Sequence, residues 1–431
     1  MKARVFSLRT MRAAWLAFGL LLPGAASGAS EILLIKGGNV ATLVNGILPA
    51  TDILVRDGRI VAVGPALQAP AGAAVVEAAG RWVFPGFIDG LTNLGTAERG
   101  TLGRDDDEAT SPLTPHLRII DAFNPANDLL ETAWHFGTTA VFAAPAPGNL
   151  LGGQGAVIRL SGTTVEDMTV KAPAAVCGSL GEPPKLRYGP KNQMPQTRMG
   201  AAALLRQTFI EAREYLAKRD DYEKRAAESQ KKAQEGKAGD EAAPAPPARN
   251  AKMEALIPLL KRELPLVLHA QRMDDILTAL RIADEFGLRL VIAGGAEAAK
   301  IKERLAERKV PVLLRPNDVF GLALEAEGAT FESARDLARA GVLIAFQTGS
   351  VASVGDLISQ AQAALAHGLT YQEVFRALTV NPARIFGVEA EVGALEAGRR
   401  ADVVLYDRDP LRGPSQVRAV FLGGRLVAKE K

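Results

Sequence analysis

The alternation of apolar and polar positions divides the chain into two β-rich ends and a mixed middle. From residue 31 to residue 76, runs of strand length alternate with turns. Two of these runs, ILVRD and GRIVAVG, predict a hairpin that turns at Asp57-Gly58, because glycine accepts the positive φ that such turns require. The same pattern returns near the C-terminus in ADVVLYDRD and VRAVFLGGRLVA. Both ends of the chain are therefore predicted to be β-structure.

The middle of the chain, residues 84–388, has a different texture. Short buried strands (TAVFAAP, LPLVLHA, RLVIAG, VPVLLRP, VLIAFQT) alternate there with helical stretches such as MDDILTALRIADEFG. This alternation predicts a parallel sheet, and the number of units favours a closed β/α barrel over an open sheet.

One segment, residues 218–252, does not fit the barrel pattern. It begins as a charged, alanine-rich helix and continues through GKAGDEAAPAPPARN. Its Lys, Glu, Ala and Pro content buries too little apolar surface to offset chain entropy. We predict an insertion made of a solvent-exposed helix and a flexible linker; a docking element for a partner is the alternative.

The composition is that of an ordinary globular protein, long enough for one large domain with an accessory domain or for two medium ones. Hydrophobic residues make up 48% of the 431 residues and charged residues 23%, so the chain as a whole is not disordered. The 51 basic and 48 acidic residues leave a net charge of +3, which gives no electrostatic footprint for nucleic acid. We expect no nucleic-acid partner.

The first 29 residues have the pattern of a secretory signal peptide. Four basic residues precede an apolar run from Ala13 to Leu22, which is short for a membrane span, and small residues follow. Cleavage is expected after Gly28 or Ala29; an uncleaved anchor is the alternative. Cys177 is the only cysteine, so the chain has no intramolecular disulfide and no cysteine near the cleavage site to carry a lipid. We expect a periplasmic or secreted protein without membrane contact after cleavage.

Three strings carry a family resemblance. VFPGFIDGLTNLG, residues 83–95, is similar to the end of the small β-domain and the first barrel strand of the amidohydrolase superfamily. LTVNPARIFGVEAEVGALEAGRRADVVLYDRDPL, residues 378–411, resembles the last helix of that family and its return into the small domain. Residues 120–162 resemble exported members of an imidazolonepropionase-like or dipeptidase-like branch.

The resemblance implies a TIM-type (β/α)8 barrel over residues 84–388. It also implies a small β-sandwich domain built from residues 30–83 and 389–431. In this family a metal-activated hydroxide attacks an amide, imide or ester-like carbon, and the metal ligands lie at the C-terminal ends of the barrel strands.

Most of these ligand positions hold residues that are unsuited to a metal. The family's first pair is His-x-His on the first strand, where alternate residues point the same way, and it aligns with Leu91 and Asn93. The family's aspartate on the last strand, which binds metal and handles the proton of the attacking water, aligns with Gly349. The resemblance therefore implies a degenerate metal site.

His269, in LPLVLHA, stands where the family places a histidine ligand, whereas Ile292–Gly295 stand where a further histidine would be expected. One imidazole is a poor zinc site, because catalytic zinc ordinarily has three protein ligands. We interpret His269 as a relic or as a hydrogen-bonding group for a substrate, with a metal ligand as the alternative.

The other histidines have simpler interpretations. His135 and His367 come shortly before a glycine at a helix end, where a cationic side chain suits the helix dipole and glycine suits the left-handed cap, so both are predicted to be structural. His116 follows Pro115 in a loop on the catalytic side and is a candidate to line the cavity.

Two further strings suggest a ligand at first sight. Asp105 to Glu108 are four consecutive acidic residues that could bind calcium, but a solvated surface loop is the favoured interpretation. The stretch GNLLGGQGAVIRLSG lacks the Lys-Ser/Thr ending of a phosphate-binding loop, and we predict a loop that enters a β-hairpin.

The sequence therefore favours an exported amidohydrolase-family protein, nominally a hydrolase of C–N bonds, whose activity is weak, altered or absent. A non-catalytic binding or assembly subunit is the alternative. We expect no cofactor, or zinc or another divalent metal if the protein is active. The expected partners are a small-molecule substrate or ligand in the barrel mouth and further subunits, in a homo-oligomer or with a related amidohydrolase.

Overall fold

A computed structural model describes residues 31–43, 46–98, 104–235, 244–316 and 324–429. The predicted signal peptide lies outside these residues, and so does part of the predicted linker, residues 236–243. Within the described ranges, no helix is both long and apolar enough to cross a membrane.

The strands of the described residues belong to two sheets. In chain order they are β1 (Ile32–Thr42), β2 (Gly46–Arg56), β3 (Arg59–Gly64), β4 (Ala74–Glu77), β5 (Trp82–Pro85), β6 (Phe87–Thr92), β7 (Thr138–Ala143), β8 (Gly153–Arg159), β9 (Thr169–Ser179), β10 (Pro265–Ala270), β11 (Arg289–Gly294), β12 (Val312–Leu314), β13 (Ile344–Phe346), β14 (Val403–Tyr406), β15 (Val417–Leu422) and β16 (Arg425–Lys429).

The α-helices of the described residues fall mostly between the strands of the second half of the chain. They are α1 (Leu129–His135), α2 (Val165–Met168), α3 (Glu182–Tyr188), α4 (Arg198–Gln234), α5 (Ala251–Glu254), α6 (Ile257–Leu260), α7 (Met273–Phe286), α8 (Lys302–Glu307), α9 (Ser333–Arg339), α10 (Asp356–Ala366), α11 (Tyr371–Leu378) and α12 (Val380–Phe386).

Eight strands form the barrel sheet, in the spatial order β6-β7-β8-β9-β10-β11-β12-β13. Neighbours are parallel from β9 to β13 and between β6 and β7. β8 alone runs antiparallel to both of its neighbours. The predicted barrel is thus confirmed with one reversed strand, and that strand comes from the glycine-rich stretch predicted to enter a hairpin.

The first and last barrel strands meet between Gly90 and Phe346. A Cβ atom at Gly90 would lie 2.7 Å from the Phe346 carbonyl oxygen, so only glycine allows β6 and β13 to approach this closely. Beyond β13, the Gly349 N–H donates to the Leu91 carbonyl at 2.9 Å. These contacts bring the two ends of the sheet together.

Helix α7 packs on the core through one face, which the spacing of its apolar residues specifies. Ile276, Ala279, Leu280 and Ala283 recur at the i, i+3, i+4, i+7 spacing of one helix face, and all four are buried in the core that includes β10 and β11. Gly287, in the left-handed conformation at φ 68°, ends the helix and turns the chain toward β11.

The second sheet combines both ends of the chain. Its order is β16-β15-β14-β5-β1-β2-β3, with β4 paired to β1. β14 pairs antiparallel with β5, so the C-terminal strands β14 to β16 extend the sheet of N-terminal strands on one side. The β2–β3 hairpin turns at Asp57 and Gly58 with φ of 50° and 76°, as the sequence predicted for a turn that needs positive φ.

A buried ion pair joins the two sheets. Arg159, the last residue of β8, donates from Nε and Nη2 to the Asp402 carboxylate at 2.9 and 2.7 Å. Asp402 precedes β14 and also accepts the Gly423 N–H at 2.8 Å. Both side chains are less than 10% exposed, so the pair is shielded from solvent.

The predicted insertion begins within α4, a 37-residue helix. The first part of α4 packs through residues such as Leu205 and Phe209, whereas no described residue of α4 beyond Ala212 is buried. The Tyr215 hydroxyl accepts a hydrogen bond from the Asn250 N–H at 3.4 Å, so the chain returns to α4 close to where it left. The predicted exposed helix is therefore present.

Candidate functional site

A cavity of about 140 Å³ lies at the C-terminal ends of the barrel strands. Residues from most strands of the barrel line it, among them Leu91, Cys177, His269, Gly294, Arg315 and Gly349. The volume resembles that of a buried protein cavity known to hold benzene, so the space suits a small organic group.

His269 is fixed at the end of β10 by Gln271. The Gln271 Oε1 accepts the Ala296 N–H at 3.0 Å, which turns its Nε2 toward the imidazole Nε2, 3.3 Å away. The amide therefore donates, and the imidazole Nε2 accepts. Burial lowers the pKa of His269 to about 4. The ring is thus neutral at neutral pH with its proton on Nδ1, and Nδ1 is buried without a partner in the described part of the chain.

Gln271 also occupies the space beside Gly294. A Cβ atom at Gly294 would lie 2.7 to 2.8 Å from the Gln271 amide atoms, and Gly294 has φ of 88°. The family resemblance predicts a further histidine within residues 292–295. At Gly294 a side chain would collide with the group that orients His269.

Arg315 lies beside Gly349, at ordinary van der Waals distance from a Cβ atom built there. A Cβ atom at Gly349 would be 3.6 Å from Cδ and 3.9 Å from Nη1 of Arg315, which directly follows β12. The Arg315 Nη2 donates to the Ser353 hydroxyl at 3.3 Å. A guanidinium group thus stands next to the position where the family has its aspartate.

Asn93 does not line this cavity and is 6% exposed. Its Nδ2 donates to Asp106 at 2.6 Å, and its Oδ1 accepts the Val351 N–H at 2.7 Å. Both functions of the amide are committed to structural hydrogen bonds. The expectation that Asn93 belongs to the cavity was wrong, because its side chain binds the 104–108 loop instead.

Asp89 is the buried carboxylate nearest in the chain to the Leu91 and Asn93 positions. It lies on β6, is 2% exposed, and accepts hydrogen bonds from Thr348 and from the Leu91 N–H. Burial raises its pKa to about 6, although the hydrogen bonds from Thr348 and Leu91 and the positive charge of Arg315 act in the opposite direction.

His116 lines a different cavity, of about 540 Å³, together with Arg104 and residues 105–108. This second cavity adjoins the first, because Pro145 and Gly152 line both. His116 is therefore not brought together with His269. Its Nδ1 is buried and has no partner among the described residues.

The acidic run 105–108 is not simply a solvated loop, so that expectation was wrong in part. Asp106 is 2% exposed and pairs with Arg104 at 3.0 Å, and Asp107 pairs with Arg187. In the described ranges no three His, Cys, Asp or Glu side chains come together as a metal site would require. Arg104 and Asn93 bind the Asp106 carboxylate, and Arg187 binds that of Asp107.

His135 and His367 lie at helix ends, as predicted. His135 is the last residue of α1, and Gly137 follows at φ of 75°. His367 follows α10 directly and precedes Gly368 at φ of 98°, with its ring stacked on Phe331 at 4.5 Å and its Nδ1 3.4 Å from Glu332.

Sequence reasoning missed Asp89, Gln271 and Arg315. A signal for each is present in the sequence: Asp89 is a charged residue inside the buried strand FIDGLT, and the other two are polar residues that directly follow buried strands, in LHAQ and VLLR. In a β/α barrel, polar residues at the C-terminal strand ends commonly face the site.

Comparison with known proteins agrees with this architecture. The sequence model of the amidohydrolase family matches residues 266–427. The crystal structure of an amidohydrolase from Thermotoga maritima MSB8 is 37% identical, with a TM-score of 0.83, over 92% of this chain and 100% of that one.

Two curated relatives are more distant. Amidohydrolase tasK of Hapsidospora irregularis is 26% identical over 384 residues, which are 84% of this chain and 38% of tasK. An imidazolonepropionase of Maricaulis maris is 31% identical over 172 residues, 39% of this chain and 42% of that protein. The chain thus spans less than half the length of each of these two relatives.

The fold, the family match and the Thermotoga structure together establish that this chain belongs to the amidohydrolase family. By resemblance, four positions of this chain align with metal ligands of that family. The side chains of Leu91 and Gly349 offer no donor atom, both functions of the Asn93 amide are committed, and the Nε2 of His269 accepts from Gln271. These four side chains do not match the ligands that the resemblance implies.

Proposed function

We propose that this chain is an exported, small-molecule-binding member of the amidohydrolase family whose hydrolysis of C–N bonds is weak, altered or absent. The observation that carries the proposal is that other side chains lie beside two glycines in the regions where the resemblance expects ligands. Gln271 takes the space beside Gly294, and Arg315 takes the space beside Gly349.

The polar groups of the cavity suit binding better than hydrolysis. His269 is neutral and can donate from Nδ1, but its Nε2 already accepts from Gln271, so it lacks a free basic nitrogen for activating water. Burial raises the pKa of Cys177 to about 12, so its sulfur stays a protonated, weakly nucleophilic thiol. The cavity thus offers hydrogen bonds without an activated nucleophile.

The metal content of the protein tests this proposal. Purified without added metal, the protein should hold well under one tightly bound transition-metal ion per chain by elemental analysis. A chelator should leave its melting temperature unchanged, because an unoccupied site adds no linkage free energy to folding. Stoichiometric zinc, together with hydrolysis of an amide or imide that a chelator abolishes, would overturn the proposal.

A second arm asks whether the ligand positions are assigned correctly. Leu91→His, Asn93→His and Gly349→Asp together should raise zinc affinity, because they restore donors at the family's positions. The single substitution Leu91→His serves as the matched control with too few ligands. Circular dichroism should confirm that the triple variant is folded, since Asn93 also holds two structural hydrogen bonds.

An assembly role is the second candidate. In tasK the matching module is accompanied by further polypeptide, because this chain covers only 38% of that protein. The partner in this second proposal is a separate subunit, either a second copy of the chain or a related amidohydrolase. Native mass spectrometry of the protein isolated from its source would reveal such a complex, and a monomer without any partner would count against this role.

Export is proposed from the basic start and short apolar run of the sequence. Mass spectrometry of the native N-terminus should find a chain that starts at Ala29 or Ser30. An intact Met1 on a membrane-bound protein would contradict the proposal.

A further inference from the structure

In the described part of the chain, the charge of the barrel-mouth cavity resides on one side chain. Among the described residues that line the cavity, Arg315 is the only one with a permanently charged side chain. His269 is neutral, and the remaining lining residues are apolar, glycine, or polar and uncharged. The described lining of the cavity therefore carries a single positive charge.

The charge of Arg315 is poorly balanced by the protein. Its Nε is buried and has no acceptor in the described ranges, and Nη2 bonds the neutral Ser353 hydroxyl. Among the described carboxylates, that of Asp356 forms the ion pair with Arg315, with an oxygen 3.9 Å from Nη2 on a side chain that is 45% exposed. The Arg315 side chain is 27% exposed, so its guanidinium group is accessible to an anionic partner that enters the cavity.

Asp89 does not supply that partner. Its two carboxylate oxygens accept hydrogen bonds from Thr348 and from the Leu91 N–H, and none from Arg315. Its charge reaches Arg315 only through space. The guanidinium group instead lies beside Gly349, with Nη1 3.9 Å from the Cβ position there.

These contacts indicate that a positively charged side chain stands where the family has a negatively charged one. Where the family has a carboxylate that holds a metal cation, this chain has a glycine and a fixed guanidinium cation. A cation in this place repels a metal ion and attracts an anionic oxygen. We propose that Arg315 is the ligand-recognition residue of the cavity and that the ligand is a small molecule carrying a carboxylate group.

A carboxylate fits better than a phosphate for two reasons. One guanidinium group balances one negative charge, whereas a phosphate dianion would leave net negative charge beside Leu91, Val267 and Leu314. The planar guanidinium fork also matches a planar carboxylate in two parallel hydrogen bonds. The cavity volume of about 140 Å³ leaves room for a hydrocarbon group of roughly benzene size.

This inference rests on the proposed binding function, and benzoate and benzamide form a matched pair of probes for it. They share shape and differ in charge. By isothermal titration calorimetry the full-length mature protein should bind benzoate at least about tenfold more tightly than benzamide, since a well-formed charged hydrogen-bonded pair is worth this much.

Two substitutions locate the effect. Arg315→Gln should abolish the preference for benzoate, and Arg308→Gln, which removes a surface arginine paired with Asp284, should preserve it. If Arg315→Gln fails to fold, Gly349→Asp offers a second test. It would place a carboxylate beside the guanidinium group and should weaken benzoate binding to the level of benzamide.

Equal binding of benzoate and benzamide by the unmodified protein, or binding of neither, would overturn this inference. Tighter binding of inorganic phosphate through the same arginine would overturn the carboxylate assignment. None of these results would show that the protein uses a metal, because only its zinc content and its sensitivity to a chelator test that. Different observations would therefore overturn this inference and the proposed function.

Discussion

The carboxylate of Asp89 accepts two hydrogen bonds from Thr348, one from the backbone N–H at 2.9 Å and one from the side-chain hydroxyl. Asp89 lies on β6 and Thr348 follows β13, so the pair joins the first and last barrel strands. Both residues are at most 2% exposed. A titratable group therefore stands at the junction where the barrel closes.

Stability should depend on the protonation of Asp89. Its pKa in the folded protein is about 6, above the ordinary value of 3.8, so the folded state holds this proton more tightly than the unfolded state. The resulting stabilisation is fully present below about pH 4 and is lost as the pH rises through about 6, in total about 3 kcal/mol.

Asp89→Asn isolates this effect, because the amide keeps a similar shape and does not ionise. Relative to the unmodified protein, the variant should gain up to about 3 kcal/mol as the pH rises from about 4 to about 7, measured by urea denaturation at each pH. Asp105→Asn, at an exposed carboxylate in the acidic run, is the control. A constant difference between Asp89→Asn and the unmodified protein would show that Asp89 does not titrate in this range.

Asn93→Leu should destabilise the protein by about 2–4 kcal/mol in urea denaturation, because Asp106 and the Val351 N–H each lose a buried partner. Limited proteolysis should then cut near residues 104–108 more rapidly. Leu91→Ala, at a partly buried residue of the preceding strand β6, should cost less and leave this loop protected. A change below about 0.5 kcal/mol for Asn93→Leu would argue against a structural role.

The effects of substitutions at Arg159 and Asp402 on the free energy of unfolding should be strongly coupled. Asp402→Ala leaves a buried guanidinium group without its partner and should cost about 3–5 kcal/mol. Adding Arg159→Met should recover part of this loss, since the unpaired charge is then removed. The exposed pair of Arg425 with Glu31 provides the control, and Arg425→Met should change stability by less than about 1 kcal/mol. Additive effects at 159 and 402 would contradict the coupling.

Replacement of residues 219–248 by a short Gly-Ser linker should change the melting temperature by less than about 3 °C. The deletion keeps Tyr215 and Asn250, whose contact brings the two ends of the segment together. Phe209→Ala, in the buried part of the same helix, should instead cost about 3–5 kcal/mol. In the unmodified protein, limited proteolysis should cut first within 219–248; a large loss of stability on deletion would show that the segment is packed.

Much of the fold follows from local sequence pattern. The β-runs at both ends, the hairpin at Asp57-Gly58 and the apolar face of α7 all depend on residues close together in the chain, where a period of two or of 3.6 specifies which face is buried. The stretch that forms β8 was predicted to enter a hairpin, but its place as a reversed strand inside the barrel sheet was not predicted, because that depends on which strands become neighbours.

For the candidate site too, the sequence predicted some features and only the tertiary structure showed others. The sequence alone identified Leu91 and Gly349 as residues without metal-binding atoms, because a side chain's chemistry does not depend on the fold. Only the tertiary structure showed that Gln271 fills the space beside Gly294, that Arg315 fills the space beside Gly349, and that Asn93 binds Asp106. Each of these contacts joins different strands or loops, and its geometry is set by strand order and register across the barrel, which no local stretch of sequence encodes.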